Sequence, residues 1–260
     1  MAFQVLGFTV YWYGVLAAGG FLSGYWTAMR RAPRTKVDPE AVSSLIPWIM
    51  LGAAVGARLL YVISYAKEFE NEPWYEMILP RRGGFVFYGG LMGSALATII
   101  FCRARKVPLW TMADVLAPSV ALGHVFGRFG CLMTGCCYGS PTHVPWAIHF
   151  PVEHWTHGIG VHPTQIYEAG LNLVLYLTLA WIYRHRRFTG QVFASYLIGY
   201  AFVRSFVELF RGDYDTSLHF VGGLLTPGQL VSAGTLTAGI VLWWFLKRVT
   251  TPTAIEPKTT

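Results

Sequence analysis

Charged residues are scarce in this sequence. They make up only 13% of its 260 residues, whereas an average soluble domain carries about 25%. Hydrophobic residues make up 54% of the chain, and its mean hydropathy is positive. This shortage of charge excludes an ordinary soluble domain and predicts a membrane protein.

Internal repeats, low-complexity tracts and domain linkers are also absent from the sequence. The lack of a repeat argues against a transporter built from two inverted halves. We expect one transmembrane domain over residues 1–250, followed by a polar, disordered tail over residues 251–260.

Acidic residues are the scarcer charge, with 13 of them against 20 lysines and arginines. The resulting net charge of +7 can indicate a nucleic-acid partner. The basic residues, however, lie in short clusters between apolar runs, as they do in the loops that flank membrane helices. We therefore expect membrane lipids and no nucleic acid among the partners.

Seven apolar runs are each close to the ~20 residues that cross a bilayer as a helix. They lie near residues 8–28, 42–65, 84–102, 108–132, 164–183, 190–210 and 227–246. These runs predict an all-α, polytopic membrane protein with seven transmembrane helices. We do not expect the first run to be a cleaved signal peptide, because no basic residue precedes it and it is long for such a segment.

The distribution of lysine and arginine predicts the orientation. If there are seven spans, thirteen of these residues lie in the loops on one side and only four lie on the other. Basic loops stay in the cytoplasm, so the N-terminus is predicted outside and the C-terminus in the cytoplasm. The long loop 139–163, rich in Trp, His and Pro, then lies outside and is a candidate functional segment.

Three arginines, Arg58, Arg128 and Arg204, lie inside the apolar runs. A guanidinium in hydrocarbon costs about 2.5 kcal/mol or more, so it is kept only with a partner or a function. Its planar fork of donors suits phosphate, which predicts a cavity for an anionic headgroup. The alternative is that each arginine pairs with a buried carboxylate such as Glu168 or Glu208.

Segment 127–139 contains four glycines and three cysteines in thirteen positions. Glycine costs about 1 kcal/mol against alanine inside a helix, so this density predicts a broken or closely approached backbone. Close helix packing through small residues is the alternative.

Segment 127–139 starts with Gly-Arg and ends with Gly, and further motifs lie at residues 11–14, 56–61, 83–90, 162–168, 204–211 and 227–230. In these motifs and in their order the chain resembles the bacterial prolipoprotein diacylglyceryl transferases, whose signature is similar to segment 127–139. The resemblance implies an inner-membrane enzyme that moves the diacylglyceryl group of phosphatidylglycerol onto the lipobox cysteine of a preprolipoprotein, near its signal peptide. It implies no cofactor.

The demands of this reaction suggest roles for particular residues. Arg128 and Arg204 are expected to stabilise the phosphate, with Arg211 at the outer mouth of the site. Tyr13 is expected to orient the headgroup, and Glu208 to hold Arg204 or to accept a proton. The further expected substrate-binding residues are Arg58, Tyr88, Gly127, Gly130, Gly139 and His162.

Two histidines have alternative roles. His162 can act as a general base, cap a helix or bind the headgroup phosphate, and we favour a structural or binding role. His124 lies at membrane depth, where a histidine is a functional candidate, although a single hydrogen bond to a neighbouring helix would also explain it.

The chain departs from the family at three positions. Cys131, Cys136 and Tyr88 stand where the family usually has asparagine, glutamate and histidine. Together with Cys137, these cysteines can bind a metal with a histidine such as His162, form a disulfide, act as a covalent nucleophile or fill space. Their spacing differs from the common zinc patterns, so we expect no metal and favour packing.

A different function remains open at this point. The chain can be a related enzyme with another lipid donor or thiol acceptor, or a lipid-binding or transport protein without catalysis. Transport predicts inverted halves, which the sequence lacks.

Overall fold

A computed structural model describes residues 2–5, 8–35, 37–69, 73, 75, 77, 83–212 and 226–250. In these ranges the chain forms seven α-helices of 18 or more residues. They are α1 (Trp12–Arg31), α2 (Pro39–Ser64), α3 (Phe87–Ala104), α4 (Leu109–Thr134), α5 (Thr164–His185), α6 (Gln191–Glu208) and α7 (Pro227–Val249). Two antiparallel pairs of short strands accompany them: β1 (Ala2–Val5) with β2 (Phe8–Tyr11), and β3 (Ile148–His149) with β4 (Gly160–Val161).

Each predicted apolar run overlaps with one of these helices. Five of them, α2, α3, α4, α5 and α7, are long and apolar enough to cross a membrane. The protein is therefore a mostly helical membrane protein, whereas the count of seven spans and the orientation stay predictions. The tail 251–260 lies outside the described residues.

The predicted start of the first run is wrong. Residues 8–11 form a strand that pairs with Ala2–Val5, and the helix begins only at Trp12. Phe8, Thr9, Val10 and Tyr11 are aromatic or β-branched, and such residues favour strands. Hydropathy alone does not separate an apolar strand from the first turns of a helix.

Several helices begin at capping side chains. Asp38 accepts a hydrogen bond from the Glu40 amide at the start of α2. Thr226 and Gln229 form a reciprocal capping box at the start of α7. At the start of α6 the cap comes from α4, because the buried carboxylate of Asp114 accepts the Gly190 and Phe193 amides at 2.7 and 2.9 Å.

The chain forms two compact units. One contains Met29–Met112, and the other contains the described residues of Met1–Ala28 and Ala113–Thr260. The expectation of a single transmembrane domain over residues 1–250 stays a prediction.

In the unit Met29–Met112, α2 and α3 pack backbone to backbone through Gly52, Gly56, Gly89 and Gly93. A Cβ atom built on Gly56 would collide with the Gly89 carbonyl oxygen, and one on Gly89 would collide with the Gly56 carbonyl oxygen. Small residues at four-residue spacing permit this approach in membrane helices.

The second unit packs α4, α5, α6 and α7 around small and aliphatic side chains. Leu179 of α5, Ala194 of α6 and Leu246 of α7 are almost fully buried. A Cβ on Gly239 would press against Ile198, so α6 and α7 also approach closely. This unit carries most of the residues expected to act on the substrate.

Candidate active site

The first feature of the site is an ion pair between α4 and α5. Nη2 of Arg128 lies 2.9 Å from Oε1 of Glu168, and only 3% of the Glu168 side chain is exposed. A buried charge is tolerated when it has such a partner. The expected alternative, pairing with a buried glutamate, is therefore confirmed for Arg128.

A second ion pair lies at the end of α6. Nη2 of Arg204 lies 2.6 Å from Oε2 of Glu208, one helical turn further on, and the Glu208 side chain is fully buried. The other carboxylate oxygen of Glu208 accepts a hydrogen bond from the Thr226 hydroxyl at 2.6 Å. A Cβ on Gly228 would collide with this carboxylate, so Glu208 lies against the N-terminus of α7, where the helix dipole favours negative charge.

These contacts help to distinguish the two expected roles of Glu208, which are to hold Arg204 and to accept a proton. Its carboxylate contacts Arg204, the Thr226 hydroxyl and the first turn of α7. The geometry supports the expected role of holding the Arg204 fork, and the role of proton acceptor stays a prediction.

A polar stripe on α5 was not recognised from the sequence. Gln165, Glu168 and Asn172 are buried at positions i, i+3 and i+7, so they share one helical face. The Asn172 amide donates to the Glu168 carbonyl at 2.8 Å. The signal in the sequence was the helical spacing of these three polar residues in an apolar run.

On α4, the His124 ring lies against Tyr200 of α6, with ring centroids 5.2 Å apart.

The glycine-rich segment begins as a helix, not as a broken backbone. Helix α4 continues through Gly127 and Gly130 to Thr134, because backbone hydrogen bonding outweighs the small local cost of glycine. A Cβ on Gly130 would lie 2.9 Å from Cδ2 of Tyr13, so Gly130 admits the Tyr13 ring against the α4 backbone. At Gly127 no described atom lies within 4 Å of such a Cβ, so this face of α4, next to Arg128, is open.

The cysteines lie where α4 ends. Gly135 and Cys137 both adopt left-handed backbone angles, with φ of 75° and 61°, which reverse the chain. The three sulfur atoms of Cys131, Cys136 and Cys137 consequently lie within 4.8 Å of one another, and all are free thiols. Nη1 of Arg128 lies 4.0 Å from the Cys131 sulfur. Hydrogen bonds from the Cys131 and Cys137 thiols and from Thr134 lower the pKa of the Cys136 thiol below its ordinary value.

Three side chains hold this turn by its carbonyl groups. Thr164 donates to the Cys137 carbonyl and Gln165 to the Cys136 carbonyl, both at 2.6 Å. His154, from the long loop, donates to the Gly135 carbonyl at 2.7 Å. The motif at residues 162–168 therefore helps to fix the backbone of the cysteine turn. His154 does the same, and sequence reasoning did not identify it.

Gly139 lies where three segments meet. Its amide donates to the His162 carbonyl at 2.9 Å, and its backbone bridges Arg211 after α6. A Cβ on Gly139 would lie 2.6 Å from both the Phe210 carbonyl oxygen and the His162 Cβ, so only glycine fits. The structure thus brings together the expected residues Gly139, His162 and Arg211. The His162 ring lies 3.2 Å from the Tyr167 hydroxyl and packs against Phe210.

Two of the expected site residues belong to the other unit, Met29–Met112. Arg58 donates from Nε to the Met77 carbonyl and from Nη1 to the Gly83 carbonyl, both at 2.8 Å. These bonds connect Arg58 to two residues that precede α3 in the chain. Tyr88 lies in the first turn of α3 with 54% of its surface exposed. A substrate contact for either residue stays a prediction.

Comparison with known proteins decides the family. The profile of the family described as prolipoprotein diacylglyceryl transferase matches residues 1–245. The chain belongs to this family. The predicted resemblance is thereby confirmed, and the protein is a transferase.

Similar relatives cover almost the whole chain. The protein of Gloeobacter violaceus is 35% identical over 252 residues, which are 94% of this chain and 92% of the relative. The protein of Legionella pneumophila strain Lens is 36% identical, over 94% of this chain and 95% of the relative. The protein of Finegoldia magna is 33% identical, over 93% of this chain and 93% of the relative. All three relatives are named phosphatidylglycerol–prolipoprotein diacylglyceryl transferase.

Proposed function

We propose that this membrane transferase moves the diacylglyceryl group of phosphatidylglycerol onto the lipobox cysteine thiol of preprolipoproteins, the first step of bacterial lipoprotein maturation. The observation that carries the proposal is the pair of arginines, Arg128 and Arg204, each fixed by a buried carboxylate in the unit that contains the glycine-rich signature. The names of the relatives support the choice of donor and acceptor.

The proposed location is the bacterial inner membrane. The chain crosses it seven times, with the N-terminus outside, the C-terminus in the cytoplasm and the reaction at the outer leaflet. The excess of lysine and arginine in alternate loops supports this orientation.

In the reaction, the acceptor sulfur attacks the glyceryl carbon that carries the phosphodiester oxygen. The carbon–sulfur bond forms, the carbon–oxygen bond breaks, and glycerol phosphate leaves with the electron pair, while the thiol proton passes to water. Negative charge thus grows on the leaving phosphate. Arg128 and Arg204 stabilise it, because their forks are already oriented by Glu168 and Glu208 and need little reorganisation.

The other residues form the walls of the site. Tyr13, held against Gly130, orients the headgroup by its hydroxyl, and the open face at Gly127 gives room for the lipid. Arg211 lies at the mouth, where its backbone bridges Gly139, whose amide donates to the His162 carbonyl. For Arg58 and Tyr88, a role in substrate binding stays a proposal.

A direct assay tests this function. Purified protein is mixed with phosphatidylglycerol labelled in its acyl chains and with a lipobox peptide, and a matched peptide has serine in place of cysteine. We expect label on the cysteine peptide alone, through a thioether that resists hydroxylamine.

Phosphatidylethanolamine labelled in the same way is the control donor. Transfer from it in preference to phosphatidylglycerol would replace the proposed donor. A folded protein that transfers label from neither lipid would contradict catalysis altogether.

A further inference from the structure

The end of α4 gathers three thiols that the proposed reaction does not use. The acceptor brings its own thiol, yet the sulfur atoms of Cys131, Cys136 and Cys137 lie within 4.8 Å of one another. Sulfur ligands at about 2.3 Å from a tetrahedral Zn²⁺ lie ~3.8 Å apart. The Cys136 and Cys137 sulfurs already lie 3.7 Å apart, so the cluster needs only a small contraction to surround one ion.

The backbone explains why the sequence spacing did not reveal this cluster. Common zinc patterns place two ligands on either side of a short loop, whereas Cys131 lies in the last helical turn and Cys136 follows the helix. The left-handed residues Gly135 and Cys137 turn the chain back, and the Cys136 amide donates to the Cys131 carbonyl at 3.1 Å. The fold thus brings together thiols that are five and six positions apart.

The turn is also fixed by groups other than the thiols. The carbonyls of residues 135, 136 and 137 accept hydrogen bonds from His154, Gln165 and Thr164, at 2.6 to 2.7 Å. These bonds hold the backbone and use none of the three sulfur atoms. A site whose ligand-bearing backbone is already ordered loses little conformational entropy on binding.

The charges and the ligand type select the ion. Three thiolates around a divalent cation carry one net negative charge. The Arg128 guanidinium pairs with Glu168 through Nη2 and faces this charge through Nη1, which lies 4.0 Å from the Cys131 sulfur. Thiolates prefer soft or borderline ions such as Zn²⁺ and Cu⁺, whereas Mg²⁺ and Ca²⁺ prefer oxygen. Cys136 is exposed, so an ion can reach the cluster from solvent.

We propose that Cys131, Cys136 and Cys137 form a binding site for one thiophilic metal ion of the Zn²⁺ class, with a fourth position open to water. This site goes beyond the transfer reaction and does not depend on it. Three protein ligands with one open position are the arrangement of zinc sites that exchange ligands, not of closed structural ones.

Cobalt titration tests the site independently of enzyme activity. Full-length protein in detergent, reduced with a phosphine and freed of metal, is titrated with Co²⁺, and the sulfur-to-cobalt charge-transfer band is recorded. We expect one Co²⁺ per chain, displacement by Zn²⁺, and no displacement by a hundredfold excess of Mg²⁺. Cys131→Ser, Cys136→Ser and Cys137→Ser should each weaken binding by tenfold or more, whereas Cys102→Ser, in α3, should leave it unchanged.

A second measurement uses the unaltered protein, in case a serine variant fails to fold. Zn²⁺ should protect the three thiols from alkylation, mapped by mass spectrometry, and Mg²⁺ should not. Absence of the band and of protection in reduced, folded protein would overturn the proposal. So would a band that survives all three serine substitutions, or a native disulfide that joins two of the three cysteines in protein isolated without reductant.

Discussion

At the scale of single residues, the proposed site rests on two partly buried arginines whose carboxylate partners differ in origin. Arg128 is held across two helices by Glu168, whereas Arg204 is held within its own helix by Glu208, which is itself held by α7. In both pairs, one edge of the guanidinium is committed to protein. The direction in which the remaining donors point is then fixed before any substrate arrives.

Substitution of these arginines by lysine tests this arrangement. Arg128→Lys and Arg204→Lys keep the charge but lose the planar fork, so we expect the rate of diacylglyceryl transfer to fall by about 100-fold or more. Arg184→Lys, at the exposed end of α5, is the matched control and should keep its rate. Because folding can also change, the thermal unfolding of each variant is measured alongside. Full activity in both lysine variants would rule out the phosphate-stabilising role.

The Cys136 thiol gives a prediction in pH. Hydrogen bonds from the neighbouring thiols and from Thr134 lower its pKa, so it stays a reactive thiolate below the pH at which an ordinary thiol becomes protonated. In metal-free protein, the alkylation rate at Cys136 should therefore fall less steeply between pH 8 and pH 6 than that of an ordinary thiol. The rate of a free cysteine peptide, measured in parallel, should drop about tenfold per pH unit in this range. An equal drop at Cys136 would contradict the lowered pKa.

At the scale of helices, two glycines of α4 have different surroundings: Gly130 packs against Tyr13, whereas Gly127 faces open space. Gly130→Ala places a methyl group against Tyr13, and such overpacking typically costs about 1–3 kcal/mol. Gly127→Ala places the same methyl group in open space and should leave the unfolding temperature unchanged or higher. The measurement is thermal unfolding in detergent, followed by circular dichroism. A larger loss of stability at residue 127 than at residue 130 would show that this view of α4 is wrong.

The helices were largely predictable and the turns were not. Apolar runs predicted every helix of the second unit to within a few residues, because burial in lipid leaves a strong compositional signal. The arginine–glutamate pairs followed from charge in those runs. The cysteine turn could not be predicted, because it depends on left-handed angles at Gly135 and Cys137 and on hydrogen bonds from residues 154, 164 and 165. Local sequence says little about contacts between residues so distant in the chain.

At the scale of the whole molecule, the orientation is the main remaining prediction. Thirteen basic residues against four place the loop 139–163 outside and the cluster 184–187 in the cytoplasm. On a background without native cysteines, a membrane-impermeant thiol reagent applied to intact cells should label His157→Cys and spare His185→Cys. Permeabilised cells, in which both positions should react, are the control. The reverse pattern would move the proposed reaction to the inner leaflet.

The glycine contact between α2 and α3 limits the paths open to a lipid substrate. Where two helix backbones touch, at Gly52, Gly56, Gly89 and Gly93, no acyl chain fits between them. Within the unit Met29–Met112, the seam between α2 and α3 is therefore closed to a phospholipid with two such chains. A photoreactive lipid probe should label the outer faces of these two helices and spare the four glycines.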